Sequence, residues 1–131
     1  MSRTMALAFA STLLASCGGD SGSDDYQAAL DQANAAQDQA VSLAVPSPCN
    51  AVQQCAILTL TEPAGHCAVP SYRPYSLVSP TADAASAAAA NERALAQRAI
   101  SLSPPTACTQ VIQMPPSVVC VANTCQAASP N

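Results

Sequence analysis

The alternation of apolar and polar positions divides the chain into an apolar N-terminal run, two helix-like stretches and several short β-like ones. Met5 to Leu14 is predominantly apolar. Residues 26–44 are rich in Ala, Gln and Asp and hold no Gly or Pro, which predicts a helix closed by Pro46 and Pro48. Its apolar stripe is weak, running Tyr26, Leu30, Ala33, Ala40 and Ala44 with polar Gln37 interrupting. Three roles fit such a helix: a spacer, a coiled-coil-like association surface, or a solvated rod. Cys55 to Thr61 mixes β-formers with alternation and predicts a strand, and Glu62-Pro63-Ala64-Gly65 supplies a turn. Three prolines between Cys67 and Pro80 predict mostly irregular chain there.

The clearest helix covers residues 82–102. Asp83 lies in its first turn, Arg93 and Arg98 lie towards its C-terminal end where positive charge suits the helix dipole, and Pro104-Pro105 stops it. The apolar face expected for it is Ala84, Ala88, Leu95, Ala99 and Leu102. Thr109–Met114 and Val118–Ala122 read as two strands paired around Pro115-Pro116. Together these segments predict an α+β fold: a small disulfide-stapled antiparallel sheet with one packed helix, preceded by an N-terminal Ala/Gln-rich helix. The organisation expected is a signal peptide at 1–16, a flexible tether at 17–25, a helical spacer at 26–44 and a cysteine-rich α+β domain at 45–131.

Composition makes that domain thin. Hydrophobic residues are 50% of the chain, but alanine supplies much of this and buries little surface. There is no Trp, and the single Phe, Phe9, lies in the N-terminal run. The core must come from Val52, Ile57, Leu58, Leu60, Leu77, Leu95, Ile100, Val111, Ile112, Val119 and Val121. Small domains bury a low fraction of their surface, so covalent reinforcement is expected.

The first 16 residues have the layout of a secretory signal: Arg3, the apolar run, and a small-residue cleavage region. The run is far short of the roughly 20 residues a bilayer core requires. Leu14-Ala15-Ser16-Cys17 resembles the bacterial lipobox. The resemblance implies a bacterial lipoprotein: Cys17 carries a diacylglycerol, cleavage falls before it, and the freed amine is acylated, palmitate being a usual chain. Several acyl chains anchor stably where one is marginal. Gly18 to Asp25 is polar and glycine-rich, as a tether requires. In enterobacterial lipoproteins an Asp directly after the lipidated cysteine favours the inner membrane. Gly18 at that position therefore implies the outer membrane, on its periplasmic side.

Losing Arg3 with the signal leaves three arginines against eight acids, with no lysine. Such a chain is repelled by phosphate backbones and anionic headgroups, which excludes nucleic acid and leaves the lipid as the means of membrane attachment. Of seven cysteines, the lipobox takes one. Cys49, Cys55, Cys67, Cys108, Cys120 and Cys125 remain as an even set in an oxidising compartment, and three disulfides are expected. Six cysteines allow 15 pairings. The short spacings Cys49 to Cys55 and Cys120 to Cys125 suit local loops, and the Cys67 to Cys108 gap brackets a helix. Metal binding is the rival, but only Cys120 and Cys125 have a tight spacing, and His66 stands alone beside Cys67. The pattern over residues 49–125 loosely resembles cysteine-rich domains of proteobacterial lipoproteins without an assigned activity.

Chemistry is sparse. His66 is the sole histidine, in a Gly-His-Cys turn, and Pro63 and Gly65 keep it from helical adjacency with Glu62. No serine sits in a Gly-x-Ser-x-Gly elbow, and no phosphate loop or zinc-helix motif occurs. No catalytic residue, metal or cofactor is therefore assigned. Tyr72-Arg73-Pro74-Tyr75 is the candidate recognition segment, because Tyr and Arg dominate binding energy at interfaces; its tyrosines could equally be the core's only aromatic filling. The function expected is that of a non-enzymatic envelope lipoprotein binding another envelope protein, as an accessory subunit, inhibitor or immunity factor. The alternatives are a structural envelope spacer and a small periplasmic hydrolase.

Overall fold

In the structure, a computed structural model, residues 21–109 and 112–129 are described. The signal, Cys17 and the first part of the tether lie outside the described residues, as does Val111. The protein is α+β: two helices and two separate two-stranded antiparallel sheets. The elements are α1 (Ser21–Leu43), a 3-10 turn (Val52–Gln54), β1 (Cys55–Ala64), β2 (Cys67–Ser76), α2 (Ala82–Leu102), β3 (Val118–Val121) and β4 (Thr124–Ala127). Helix α2 has the bounds its sequence predicts. Helix α1 starts earlier than predicted, taking in residues 21–25 of the expected tether.

Helix α1 is part of the fold rather than a separate spacer. It packs antiparallel along α2: the Thr81 hydroxyl, at the start of α2, donates to the Leu43 carbonyl at the end of α1 (2.8 Å). At the opposite end Asp25 and Ala28 of α1 share a shallow pocket with Arg98 and Leu102 of α2. The buried positions are Ala29, Ala33, Ala36 and Ala40 on α1, and Ala82, Ala85, Ala89, Glu92, Ala96 and Ala99 on α2. Both sets alternate steps of three and four, the 3.5-residue seam of a coiled coil. The seam shares Ala33, Ala40 and Ala99 with the faces the sequence predicts but leaves out Leu30, Ala84, Leu95 and Leu102, which were expected inside. Helices meeting through alanine approach at the short end of the roughly 8–10 Å range, so the tightest contact selects the smallest residues and leaves leucines at the flanks. Ala96→Leu should therefore force the helices apart and cost about 1–3 kcal/mol in urea denaturation, whereas Ala87→Leu, on the exposed face, should cost less than about 0.5 kcal/mol.

Strand β2 replaces the irregular chain expected from its prolines. It pairs with β1 from Cys55↔Ser76 to Ala64↔Cys67, closed by Gly65-His66 with Gly65 at φ 62°. A two-residue loop makes Ala64↔Cys67 a hydrogen-bonded pair, and pairs alternate from there. Pro63, Pro70 and Pro74 all fall at positions whose backbone nitrogen faces away from the partner strand, where a missing N–H removes no ladder bond. The outward groups of β1 are met by consecutive residues of α2. Both carboxylate oxygens of Glu92 accept from the Thr61 N–H (3.2 and 3.1 Å), and Arg93 Nη1 donates to the Thr59 carbonyl (2.9 Å). Two side chains thus do for the strand edge what a third strand would do.

The second hairpin turns at Ala122-Asn123, with φ 49° and 64°, rather than at Pro115-Pro116. Both central residues in the left-handed region is the I′ pattern, which suits the strand twist. Residues 109 and 112–114 form no strand. Isolated hairpins are marginal in water, and this one is held by bonds to residues 45–54. Cys125 N–H donates to the Pro46 carbonyl (2.7 Å), and Cys49 N–H to the Asn123 carbonyl (3.2 Å). Three disulfides join Cys49–Cys120, Cys55–Cys125 and Cys67–Cys108. The local loops suggested by the short spacings are not formed: the two clustered pairs are cross-linked to each other, because β3 and β4 dock beside residues 49–55. Cys67–Cys108 spans α2, as its spacing suggests.

The main core is small: Ala40, Leu58, Leu60, Tyr75, Ala82, Ala85 and Ala89. A second cluster is built around Cys49, Cys55 and Cys125, with Val118 and Cys120 against it. Of the aliphatic core expected from the sequence, Leu58 and Leu60 alone are buried among the described residues, while Val52, Leu77, Ile112 and Val121 are exposed.

Candidate docking surface

The residues singled out for recognition do not share a surface. Tyr72-Arg73-Pro74-Tyr75 lies within β2, so neighbouring side chains alternate between faces. Tyr75 is buried in the main core beside Leu58 and Leu60, which is the aromatic-filling role. Tyr72 is half-buried, and its hydroxyl donates to the Gln113 carbonyl (2.7 Å), tying the C-terminal segment across the hairpin. Arg73 alone is exposed. Glu62 accepts from Gln37 Nε2 (3.1 Å) and so links β1 to α1. All six expected cysteines are disulfide-bonded. The Sγ atoms of Cys49, Cys55 and Cys125 lie within 4.8 Å of one another because two disulfides meet there.

Glu92 is the sole charged residue among the fully buried ones of the described chain. Burial raises its pKa above the ordinary carboxylate value, against the lowering effects of the Thr61 N–H and Arg93; the charge of Glu62 adds to the rise. Its two oxygens are engaged with backbone, so its role is structural.

A different surface emerges where α1 ends and α2 begins. Ser76 N–H donates to the Val45 carbonyl and Leu77 N–H to the Gln54 carbonyl, both at 2.8 Å. These bonds draw three segments together and leave Val45 (36%), Val52 (44%), Leu77 (48%) and Val78 (51%) exposed. Val121 (49%) stands on the adjoining hairpin. Residues 45–54, 76–82 and 112–129 contain no Asp, Glu, Lys or Arg, although the whole chain carries a net charge of −4. Asp83, in the first turn of α2, marks the rim. Grouped exposed hydrophobics with a polar rim are the signature of an interaction site. The sequence hid it because Val52, Leu77 and Val121 look like core residues; the disulfide cluster occupies the interior they were expected to fill.

The surface lies at the C-terminal end of α1. Cys17 is four positions before Ser21, the first residue of α1, and a helix of 23 residues is about 35 Å long. Among the described residues no helix is long and apolar enough to cross a membrane.

These features define a class of architecture: an alanine-seamed helical hairpin carrying two disulfide-stapled β-hairpins. No protein family, curated protein or solved structure matches the chain, so its function is argued from its own residues.

Proposed function

We propose that the protein is a lipid-anchored envelope module that binds another envelope protein through the uncharged end formed by Val45, Val52, Leu77 and Val78. The observation that carries this reading is that surface: grouped hydrophobics, without charge, on an otherwise acidic chain. Its occupant is a protein rather than the anchoring bilayer, because acylation at Cys17 tethers the opposite end and about 35 Å of helix separates the two. Nucleic acid is excluded by charge. The module acts by presenting a rigid surface at a fixed height above the membrane, as an accessory subunit, inhibitor or immunity factor would. The spacer alternative needs helices free to associate with other copies, and α1 spends its alanine seam on α2.

Anchoring and docking are tested separately. A clickable palmitate analogue should label the wild type and leave Cys17→Ala unlabelled and released from the membrane fraction; label retained in Cys17→Ala contradicts the anchor. The pair Leu77→Asp and Val78→Asp alters exposed side chains and should change stability by less than about 1 kcal/mol. It should eliminate the partner crosslinked by wild type in intact cells. If the crosslinked species is a second copy of the chain, the occupant is corrected to a homodimer partner.

A further inference from the structure

The two disulfides that staple the second hairpin join cysteines distant in sequence, although each cysteine has a nearer alternative. Cys49 lies close to Cys55 along the chain and Cys120 to Cys125, yet the bridges formed span 71 and 70 residues. In an unfolded chain, closing a loop of about 70 residues is roughly forty-fold less probable than closing one of about six, because closure falls with about the 3/2 power of length. The nearer pairs are also sterically available. Cys120 and Cys125 face each other directly across β3–β4, one step from the Val121↔Thr124 pair that flanks the turn. The Cys125 N–H points outward, to the Pro46 carbonyl, so theirs is a non-hydrogen-bonded pair. Cα atoms in such pairs are about 4.5 Å apart, within the span a disulfide bridges. The consecutive pairing Cys49–Cys55, Cys67–Cys108 and Cys120–Cys125 therefore differs from the observed one only by an exchange among four sulfurs. The fold brings those sulfurs together: the Sγ atoms of Cys49, Cys55 and Cys125 lie within 4.8 Å of one another, and Cys120 is bonded to Cys49.

We propose that the chain is a substrate for thiol–disulfide isomerisation: it oxidises first to the consecutive pairing, and an external thiolate, as in a disulfide isomerase, converts this to the crossed staple. The thiolate attacks Cys120 in Cys120–Cys125, forming a mixed disulfide and releasing the Cys125 thiolate. Cys125 attacks Cys55 in Cys49–Cys55, forming Cys55–Cys125 and releasing the Cys49 thiolate. Cys49 then attacks Cys120 in the mixed disulfide, forming Cys49–Cys120 and expelling the external thiolate. Two disulfides enter and two leave, so no net oxidation or reduction occurs and the external thiol is regenerated. Attack at Cys120 frees the sulfur that lies against both Cys49 and Cys55 in the finished fold. The crossed pairing accumulates because it alone ties β3–β4 to the Cys49 and Cys55 side chains against which the hairpin packs. This chemistry belongs to the chain itself and is independent of the docking end and of the lipid anchor.

The test uses the full chain with Cys17→Ala, whose only thiols are the six cysteines of the domain. The reduced chain is oxidised with excess diamide, which supplies no thiol, and then given reduced glutathione; aliquots are alkylated, digested with pepsin and weighed by mass spectrometry. Crossed bridges hold the peptide containing Cys49 and Cys55 to the one containing Cys120 and Cys125, whereas consecutive bridges leave the two separate. Separate peptides, each with an internal bridge, should predominate after diamide. Glutathione should speed their conversion to the joined form by about ten-fold or more, with no change in the chain's total free thiol. Adding Cys120→Ala isolates the central exchange: its one free thiol should start on Cys125 and move to Cys49 without glutathione. The proposal is overturned if joined peptides predominate from the first aliquot, if glutathione leaves the separate peptides unchanged, or if the free thiol of the Cys120→Ala chain stays on Cys125. Mapping of the chain with all six cysteines decides the matter even if Cys120→Ala does not fold.

Discussion

Replacing Cys49, Cys55, Cys120 and Cys125 together by alanine should cost about 7 kcal/mol, whereas removing either disulfide alone should cost only about 3 kcal/mol. The asymmetry follows from the topology. Cys49–Cys120 and Cys55–Cys125 close loops of 71 and 70 residues between the same two short segments. By loop-closure entropy the first such bridge is worth about 4 kcal/mol. Once it exists, the second closes only the short circuit through residues 49–55 and 120–125, a loop of about a dozen residues, worth about 3 kcal/mol. A domain of this size has a total stability of about 5–15 kcal/mol, and the buried aliphatics of its main core are just Leu58 and Leu60. Losing both bridges should therefore leave the hairpin β3–β4 undocked and the remainder largely unfolded at 37 °C. Urea denaturation of the two double-alanine variants and the quadruple variant measures this. A quadruple cost equal to the sum of the two doubles would contradict the shared-loop account.

Glu92→Ala should be the most damaging single substitution in α2, at about 2–3 kcal/mol, because it strands the Thr61 N–H and opens a void in the helix seam. Glu92→Gln keeps an acceptor oxygen and the shape and should cost less than about 1 kcal/mol. The two variants also separate structure from charge. Glu92 has a raised pKa in the folded protein, chiefly through burial. Above its unfolded pKa the folded state holds the proton more tightly than the unfolded state does, so this residue favours folding most at low pH. Its contribution is lost as pH rises through the folded pKa. Urea midpoints of wild type measured from pH 4 upwards should carry that downward component, and Glu92→Gln should be flatter over the same interval. A variant with an unchanged slope would remove Glu92 as its source.

Several parts of this architecture were legible in the sequence for physical reasons. Helix α2 was, because an alanine-rich run between Pro80 and Pro104 has only one favourable conformation. The disulfide set was, because six cysteines remain once Cys17 is assigned to the lipobox, whereas their pairing depends on where β3 and β4 dock, a tertiary fact. Strand β2 was hidden by Pro70 and Pro74, whose compatibility with a strand depends on hydrogen-bond phase and hence on register. The turn at Ala122-Asn123 lacks the glycine that marks most I′ turns, and Pro115-Pro116 offered a stronger but misleading signal. The seam of α1 was legible only in part, at Ala33 and Ala40; Ala29 and Ala36 were hidden because larger residues such as Leu30 look the better core, a preference that tight helix pairs invert. Tyr72 and Tyr75 were correctly noticed as unusual, but strand alternation sends them to opposite faces. The uncharged end needed the fold itself, since its segments are drawn together by backbone bonds from Ser76 to Val45 and from Leu77 to Gln54, far apart in sequence.

The most direct measurement is site-specific photocrosslinking in intact cells, with a photoreactive amino acid at Leu77 in one strain and at Ala35, on the exposed face of α1, in another. The docking account predicts one dominant heterologous protein adduct from Leu77 that is absent from Ala35 and reduced when Cys17 is alanine. Equal adduct patterns from both positions, or no adduct from Leu77 despite full expression, would contradict it.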